Sequence, residues 1–171
     1  MIKQVYSVLL GALLLLPLTV TAATTGEVPV GSELRDASLS GFAGDYLKLS
    51  DLRGKPLIIN VWASWCGPCR AEMGSLERLS RRYGGKQFNI IGISTDDDAN
   101  AAANFITQTQ ITFDNYIDNK LMMENMLGAN AIPLTILVDA KGRVLQKVRG
   151  SKEWDSPEWV AAIGKAFRVK M

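Results

Sequence analysis

Residues 62–73 read WASWCGPCRAEM and hold both cysteines of the 171-residue chain, two residues apart. Three uses compete for such a pair: a structural staple, half of a metal site, or a redox couple that opens and closes. A staple gains most when it closes a long loop, because it then removes more entropy from the unfolded chain. Cys66 and Cys69 enclose only Gly67 and Pro68, so as a staple the bridge does almost nothing. A closed zinc site needs four ligands, and one C-x-x-C pair supplies two. The chain has no other cysteine and no histidine. An intramolecular zinc site is therefore not available, and the redox couple is left.

The flanks of the pair fit that reading. PLIINVWA (56–63) is a continuous apolar, β-branched run, as expected of a strand buried on both faces. From Cys66 to about Arg82 the pattern turns helical, with Met73, Leu76, Leu79 and Tyr83 three or four apart. Cys66 thus stands at a helix N-terminus, where free backbone N–H groups carry partial positive charge. A thiol there drops from a pKa of about 8.5 into the range of roughly 3.5 to 7.5. Cys69, one turn further in and on the same helical face, is placed to attack a mixed disulfide formed at Cys66. Gly67 permits close approach, and Pro68 at a helix start needs no N–H partner.

Outward from this core, GG (84–85) stops the helix and QFNIIGIST (87–95) reads as a second buried strand. DDDANAAANFITQTQ (96–110) opens with acids at a helix start, TFDNYID (112–118) reads as a short strand, and KLMMENML (120–127) as a short helix ended by Gly128. LTILVD (134–139), the turn AKGR and VLQKVRG (144–150) make an antiparallel hairpin. Ser156 as N-cap, Pro157 and Glu158 open a closing helix. DYLKLSDL (45–52) alternates like a short strand, and residues 24–40 are polar and small, which predicts a linker before a domain spanning 41–171. The order predicts an α/β fold: a mixed sheet with helices on both faces, and a helix–strand insertion after the second core strand.

About a fifth of the residues are charged, and the net charge is +2, with no concentrated basic patch that would suit nucleic acid. The absence of histidine excludes histidine-based triads and general bases. At the N-terminus, Lys3 precedes an uncharged apolar run from Val5 to about Val20, followed by small residues. Residues 1–23 read as a secretory signal cleaved after Ala22 or Ala23, or as a retained membrane anchor. Either way the domain is expected outside the cytoplasm, in the periplasm or an equivalent compartment.

WCGPC after an apolar strand, with IPLT some sixty residues later, resembles the thioredoxin superfamily. More narrowly, LSDLRGKPLIINVWASWCGPCRAEM and GISTDD resemble the exported or membrane-tethered TlpA/ResA-type thiol-disulfide oxidoreductases, a group that includes the cytochrome c maturation thioredoxins. The resemblance implies a thioredoxin-like sheet and a protein-disulfide reductase, with Cys66 attacking and Cys69 resolving. It implies protein substrates that carry disulfides, and re-reduction by a membrane electron donor, with no cofactor. Trp65, Gly67 and Pro68 fill the rest of the motif. Pro133 falls where the family has a cis-proline beside the disulfide, and Ile132 before it offers backbone groups to an extended substrate. Read without the family, Pro133 is a strand-initiating proline.

Two positions depart from the family pattern. Ordinary thioredoxins carry a buried acid six residues before the first cysteine, and here that position is Asn60. Glu72, three residues after Cys69, lies on the cysteine's side of the helix and matches a glutamate of the TlpA/ResA type. It is expected either to exchange a proton with Cys69 or to pair on the surface with Arg70 or Arg78. Gly74 replaces a proline that kinks this helix in many relatives, so the helix runs straighter or bends at the glycine. Two rival functions remain. C-x-x-C thiolates suit Cu(I), and MMENM (122–126) adds thioethers, although methionines at helical spacing more often pack a core. A peroxidase would need a different motif around its cysteine.

Overall fold

The computed structural model describes residues 26–171. The N-terminal segment read as a signal or anchor lies outside the described residues. A seven-stranded mixed sheet organises the chain, built from β1 (Ser38–Gly41), β2 (Tyr46–Lys48), β3 (Leu57–Trp62), β4 (Asn89–Ser94), β5 (Asp114–Ile117), β6 (Leu134–Val138) and β7 (Val144–Arg149). The strands lie in the order β2-β1-β5-β4-β3-β6-β7. The three central contacts are parallel for β3–β4 and β4–β5 and antiparallel for β3–β6. Every residue of β3 is buried, as a continuous apolar run sandwiched between two layers must be.

Four helices cover the sheet: α1 (Gly67–Tyr83), α2 (Ala99–Gln108), α3 (Met122–Leu127) and α4 (Pro157–Phe167). Alternation along β3 and β4 divides their side chains between two cores. Ile58, Trp62 and Ile90 face Met73, Leu76 and Leu79 of α1, Phe105 of α2 and Ile163 and Phe167 of α4. Ile59, Val61, Ile91 and Ile93 face Met123, Met126 and Leu127 of α3. The helix–strand insertion after β4 is α2 with β5. The helix starts follow the expected signals: Ser156 accepts from the Trp159 N–H, with Pro157 at the first helical position.

Three local readings are revised. Residues 26–40 do not stand off as a linker. Val28, Leu34 and Leu39 are buried in the α3-side core, the Val28 N–H donates to the Met126 carbonyl at 2.9 Å, and residues 38–41 form a strand. These apolar residues are too widely spaced in a polar stretch to show a period. The strand read over 45–52 is confined to β2. The chain then turns through a single 3-10 turn at Leu49–Leu52, where the Asp51 carboxylate accepts from the Lys48 N–H at 3.3 Å. The third concerns the triple aspartate. Asp98 caps α2 through the Asn100 N–H at 2.9 Å, but Asp96 is buried and serves the neighbouring loop instead.

Candidate active site

β3 ends at Trp62, three residues turn the chain, and Cys66 caps α1 with its backbone still extended. The turn is pinned from β4. The Asp96 carboxylate accepts from the Ser64 N–H at 2.9 Å, the Ser64 hydroxyl at 2.6 Å and the Ser94 hydroxyl at 2.7 Å. The Thr95 N–H donates to the Trp62 carbonyl at 2.9 Å. On the outer side, Arg70 reaches the Ser64 carbonyl at 3.4 Å and lies over the Phe105 ring. Trp62 is wholly buried and donates through Nε1 to Asn115 Oδ1 at 3.0 Å. That contact requires Gly92 on β4: a Cβ there would stand 1.8 Å from Asn115 Oδ1.

Held in this way, Cys66 and Cys69 are joined by a disulfide, with their Cα atoms 5.3 Å apart. The Cys69 N–H donates to Cys66 Sγ at 3.2 Å, so the open end of the helix points at that sulfur. Cys69 has no exposed surface, whereas Cys66 keeps 6% of its own. Around Cys66 the surface is formed by Trp65, 69% exposed, and by exposed Gly67 and Pro68. The Ile132–Pro133 peptide bond is cis, and the Ile132 carbonyl oxygen lies 3.9 Å from Cys66 Sγ. Pro133 is buried and its carbonyl accepts from the Gly150 N–H at 2.9 Å, which ties this corner to the end of β7.

Glu72, one turn below Cys69, is 1% exposed and makes no ion pair with Arg70 or Arg78. Arg78 pairs instead with Glu153 and, at 2.6 Å, with Asp155. The Glu72 carboxylate accepts from Asn60 Nδ2 at 2.7 Å on one oxygen. On the other it accepts from the Lys152 N–H at 3.1 Å and Trp154 Nε1 at 3.0 Å. Burial pushes its pKa above the ordinary value. The hydrogen bonds from Trp154, Asn60 and the Lys152 backbone, with the Lys152 charge, oppose that shift without cancelling it. The protonated form is thus favoured relative to an exposed glutamate, and the cause is desolvation.

The structure therefore brings Cys66, Cys69, Glu72, Trp65, Gly67, Pro68, Ile132 and Pro133 to one end of the sheet around one disulfide. It adds residues that sequence reading passed over, namely Thr135 on β6, Lys152 and Trp154 from the loop before α4, and the Ser64–Asp96 clamp, and it gives Asn60, read only as replacing a buried acid, a hydrogen-bonded place beside Glu72. Asn60 alternates with Ile59 and Val61 in a buried strand, and a polar residue there is a signal that it has a partner. α1 continues unbroken through Gly74. Among the described residues no cluster of three metal-ligating His, Cys, Asp or Glu occurs. Met123 and Met126 pack in the core on the other face of the sheet from Cys69.

Comparison with known proteins agrees with this geometry. The profile of the family described as Redoxin matches residues 29–163. A thiol-disulfide oxidoreductase ResA from Geobacillus thermodenitrificans is 31% identical over 124 residues, covering 72% of this chain and 71% of the relative. ResA from Bacillus cereus is 29% identical over 126 residues, covering 74% and 73%. A crystal structure assigned to a thiol:disulfide interchange protein DsbE from Chlorobium tepidum superposes with a TM-score of 0.75 at 28% identity, over 82% of this chain and 99% of that one.

Proposed function

This chain belongs to the redoxin family, and from that premise we propose that it is a thiol-disulfide oxidoreductase of the ResA/DsbE type working outside the cytoplasm as a reductant of protein disulfides. One observation carries the reading. The Cys66–Cys69 disulfide caps α1 with the less buried of its two cysteines, Cys66, beside the Ile132 carbonyl, and the acid nearest below it in the helix is buried. The apolar run at residues 5–20 supports the extracytoplasmic placement.

The cycle starts from the dithiol. The helix N-terminus and the Cys69 N–H stabilise the Cys66 thiolate, which attacks one sulfur of a substrate disulfide. That bond breaks, a bond from Cys66 to the substrate forms, and the other substrate sulfur leaves as a thiolate that takes up a proton. Ile132 and its cis-proline offer the backbone against which an extended substrate segment lies, with Trp65, Gly67 and Pro68 around it. Cys69 then passes its proton to the Glu72 carboxylate. Its thiolate attacks Cys66 Sγ, and the second substrate sulfur leaves and is protonated. Two electrons have moved to the substrate, and the chain carries the Cys66–Cys69 disulfide. An external dithiol donor, on this reading membrane-bound, restores the starting state. Thioredoxin-like and DsbA-like potentials differ by about 150 mV, or about 7 kcal/mol for two electrons, so the direction of the cycle is a thermodynamic quantity that can be measured.

The test is a trap in the native host. In Cys69→Ala, the substrate remains disulfide-linked to Cys66 and can be identified, while the wild-type protein reduces protein disulfides in vitro. If nothing is trapped and the reduced protein leaves every disulfide intact, the enzyme reading falls. For Glu72, Glu72→Gln with unchanged thiol titration and turnover removes its role as proton partner.

A further inference from the structure

Asn60 is fully buried on β3, and its Nδ2 serves two neighbours, Glu72 Oε1 at 2.7 Å and Thr135 Oγ1 on β6 at 3.0 Å. Its Oδ1 is the one buried side-chain nitrogen or oxygen among the described residues with no hydrogen-bond partner. Buried polar groups are almost always paired, so an orphaned acceptor beside a titratable acid calls for a reason.

The chemistry of the other partners supplies one. As arranged, Glu72 only accepts, from Asn60, the Lys152 N–H and Trp154 Nε1. An ionised carboxylate fits this arrangement, being an acceptor alone, but a carboxylic acid has one donor that must find an acceptor. A backbone N–H and an indole N–H are donors only and cannot reverse, so no proton on Oε2 finds an acceptor there. The amide is different. A half-turn about its χ2 exchanges Nδ2 and Oδ1, which places an acceptor where the donor now stands. The protonated Oε1 and the Thr135 hydroxyl then both donate to Oδ1. Each orientation leaves one end of the amide unpaired, so neither is locked.

We propose that Asn60 is a positioning residue whose side-chain amide turns over as Glu72 gains or loses its proton, donating to the carboxylate and accepting from the acid. The turnover itself needs only the titration of Glu72; its use in the cycle rests on Glu72 taking the proton of Cys69 during resolution. The groups that meet Glu72 come from three elements: Ser75 from α1, Asn60 from β3, itself bonded to Thr135 on β6, and Lys152 and Trp154 from the loop before α4. Of these, Lys152 is the charged one, and its side chain favours the carboxylate. Ser75 is occupied, its hydroxyl donating to the Glu72 carbonyl at 2.7 Å while it accepts from the Trp154 N–H at 3.0 Å.

The oxidised protein isolates the switch, because a disulfide does not titrate. Across the Glu72 titration followed by carboxyl carbon NMR, the Asn60 side-chain NH2 signals should shift with the same midpoint. Their nuclear Overhauser contacts to Thr135 should be present above it and lost below it. Contacts and shifts that stay constant through the titration overturn the proposal. In reduced protein, Asn60→Leu should move the Glu72 midpoint further up and slow resolution of a Cys66-linked substrate by about tenfold near neutral pH. Asn60→Ser, whose hydroxyl both donates and accepts, should recover part of the loss. A folded Asn60→Leu protein with the wild-type pH profile also overturns it. If the amide turns with Glu72 while Glu72→Gln leaves the Cys69 titration unchanged, the inference stands and the catalytic reading of Glu72 is what falls.

Discussion

Two glutamates on α1, five residues apart, are both buried and have opposite surroundings. Glu72, 1% exposed, meets neutral donors and is pushed above its ordinary pKa by burial. Glu77, 6% exposed, is also pushed up by burial. Hydrogen bonds from the Thr112 hydroxyl and N–H, both at 2.7 Å, and from Arg81 at 2.6 Å outweigh that and hold it below its ordinary value. Glu77 fastens the entry to β5 onto the helix, and its proton is never in play near neutral pH. Glu72 is left poised. What separates the structural acid from the one proposed to move a proton is the company at their oxygens rather than their depth.

The widest expected gap is in rate. Glu72→Gln should slow resolution of the mixed disulfide by about 100-fold, the range of general acid–base assistance, with the fold intact; stopped-flow measurement of substrate release by the protein with both cysteines present reads it. An equal loss in Glu77→Ala would erase the contrast. Glu77→Ala should instead lower stability by about 1–3 kcal/mol in denaturant titration, because the Thr112 N–H loses its buried acceptor, and leave the rate per folded molecule unchanged.

The pH dependence of stability sharpens the same contrast, because the signs are opposite. Glu72 has a folded pKa raised above the unfolded value, so its contribution is full below the unfolded pKa and is lost as pH rises through the folded one. Glu77 has a folded pKa held low, so its contribution is present above the unfolded pKa and lost as pH falls through the folded one. Asp118 and Glu124, also pushed up by burial, add to the first trend, so each variant is compared with wild type. Unfolding free energies from pH 3 to 8 should show Glu72→Gln gaining on wild type as pH rises, and Glu77→Gln losing to it over the same climb. The smallest effect lies between the two acids. Gly74 is exposed, and an added Cβ meets only Arg78 at 3.5 Å, an ordinary contact. Gly74→Ala should raise stability by about 0.5–1 kcal/mol and alter neither rate nor pH profile.

Most of the frame was legible because it is written locally. The β3 run, the helical spacing after Cys66, the GG stop and the Ser156–Pro157 start each lie within a few residues. The cysteine pair could be read from spacing and from what the chain lacks. The Glu72 pocket is different: Asn60 lies 12 residues before the glutamate, Lys152 and Trp154 lie 80 and 82 after it, and Asn60 meets Thr135 across 75 residues. No periodicity joins such positions; strand register does, setting Asn60 opposite Thr135 on β6. Val28 and Leu34 were missed for a related reason, since two apolar residues in a polar stretch carry no pattern until α3 and β7 meet them.

The unequal exposure of the two cysteines fixes the traffic through the protein. With Cys69 sealed, the proposed cycle passes electrons in and out through one terminal, the Cys66 sulfur. A donor and a client cannot be docked at the same moment, so the molecule is a shuttle with two alternating visitors and not a conduit between them. Its steady-state kinetics should be ping-pong, with parallel double-reciprocal lines as the concentration of donor is varied.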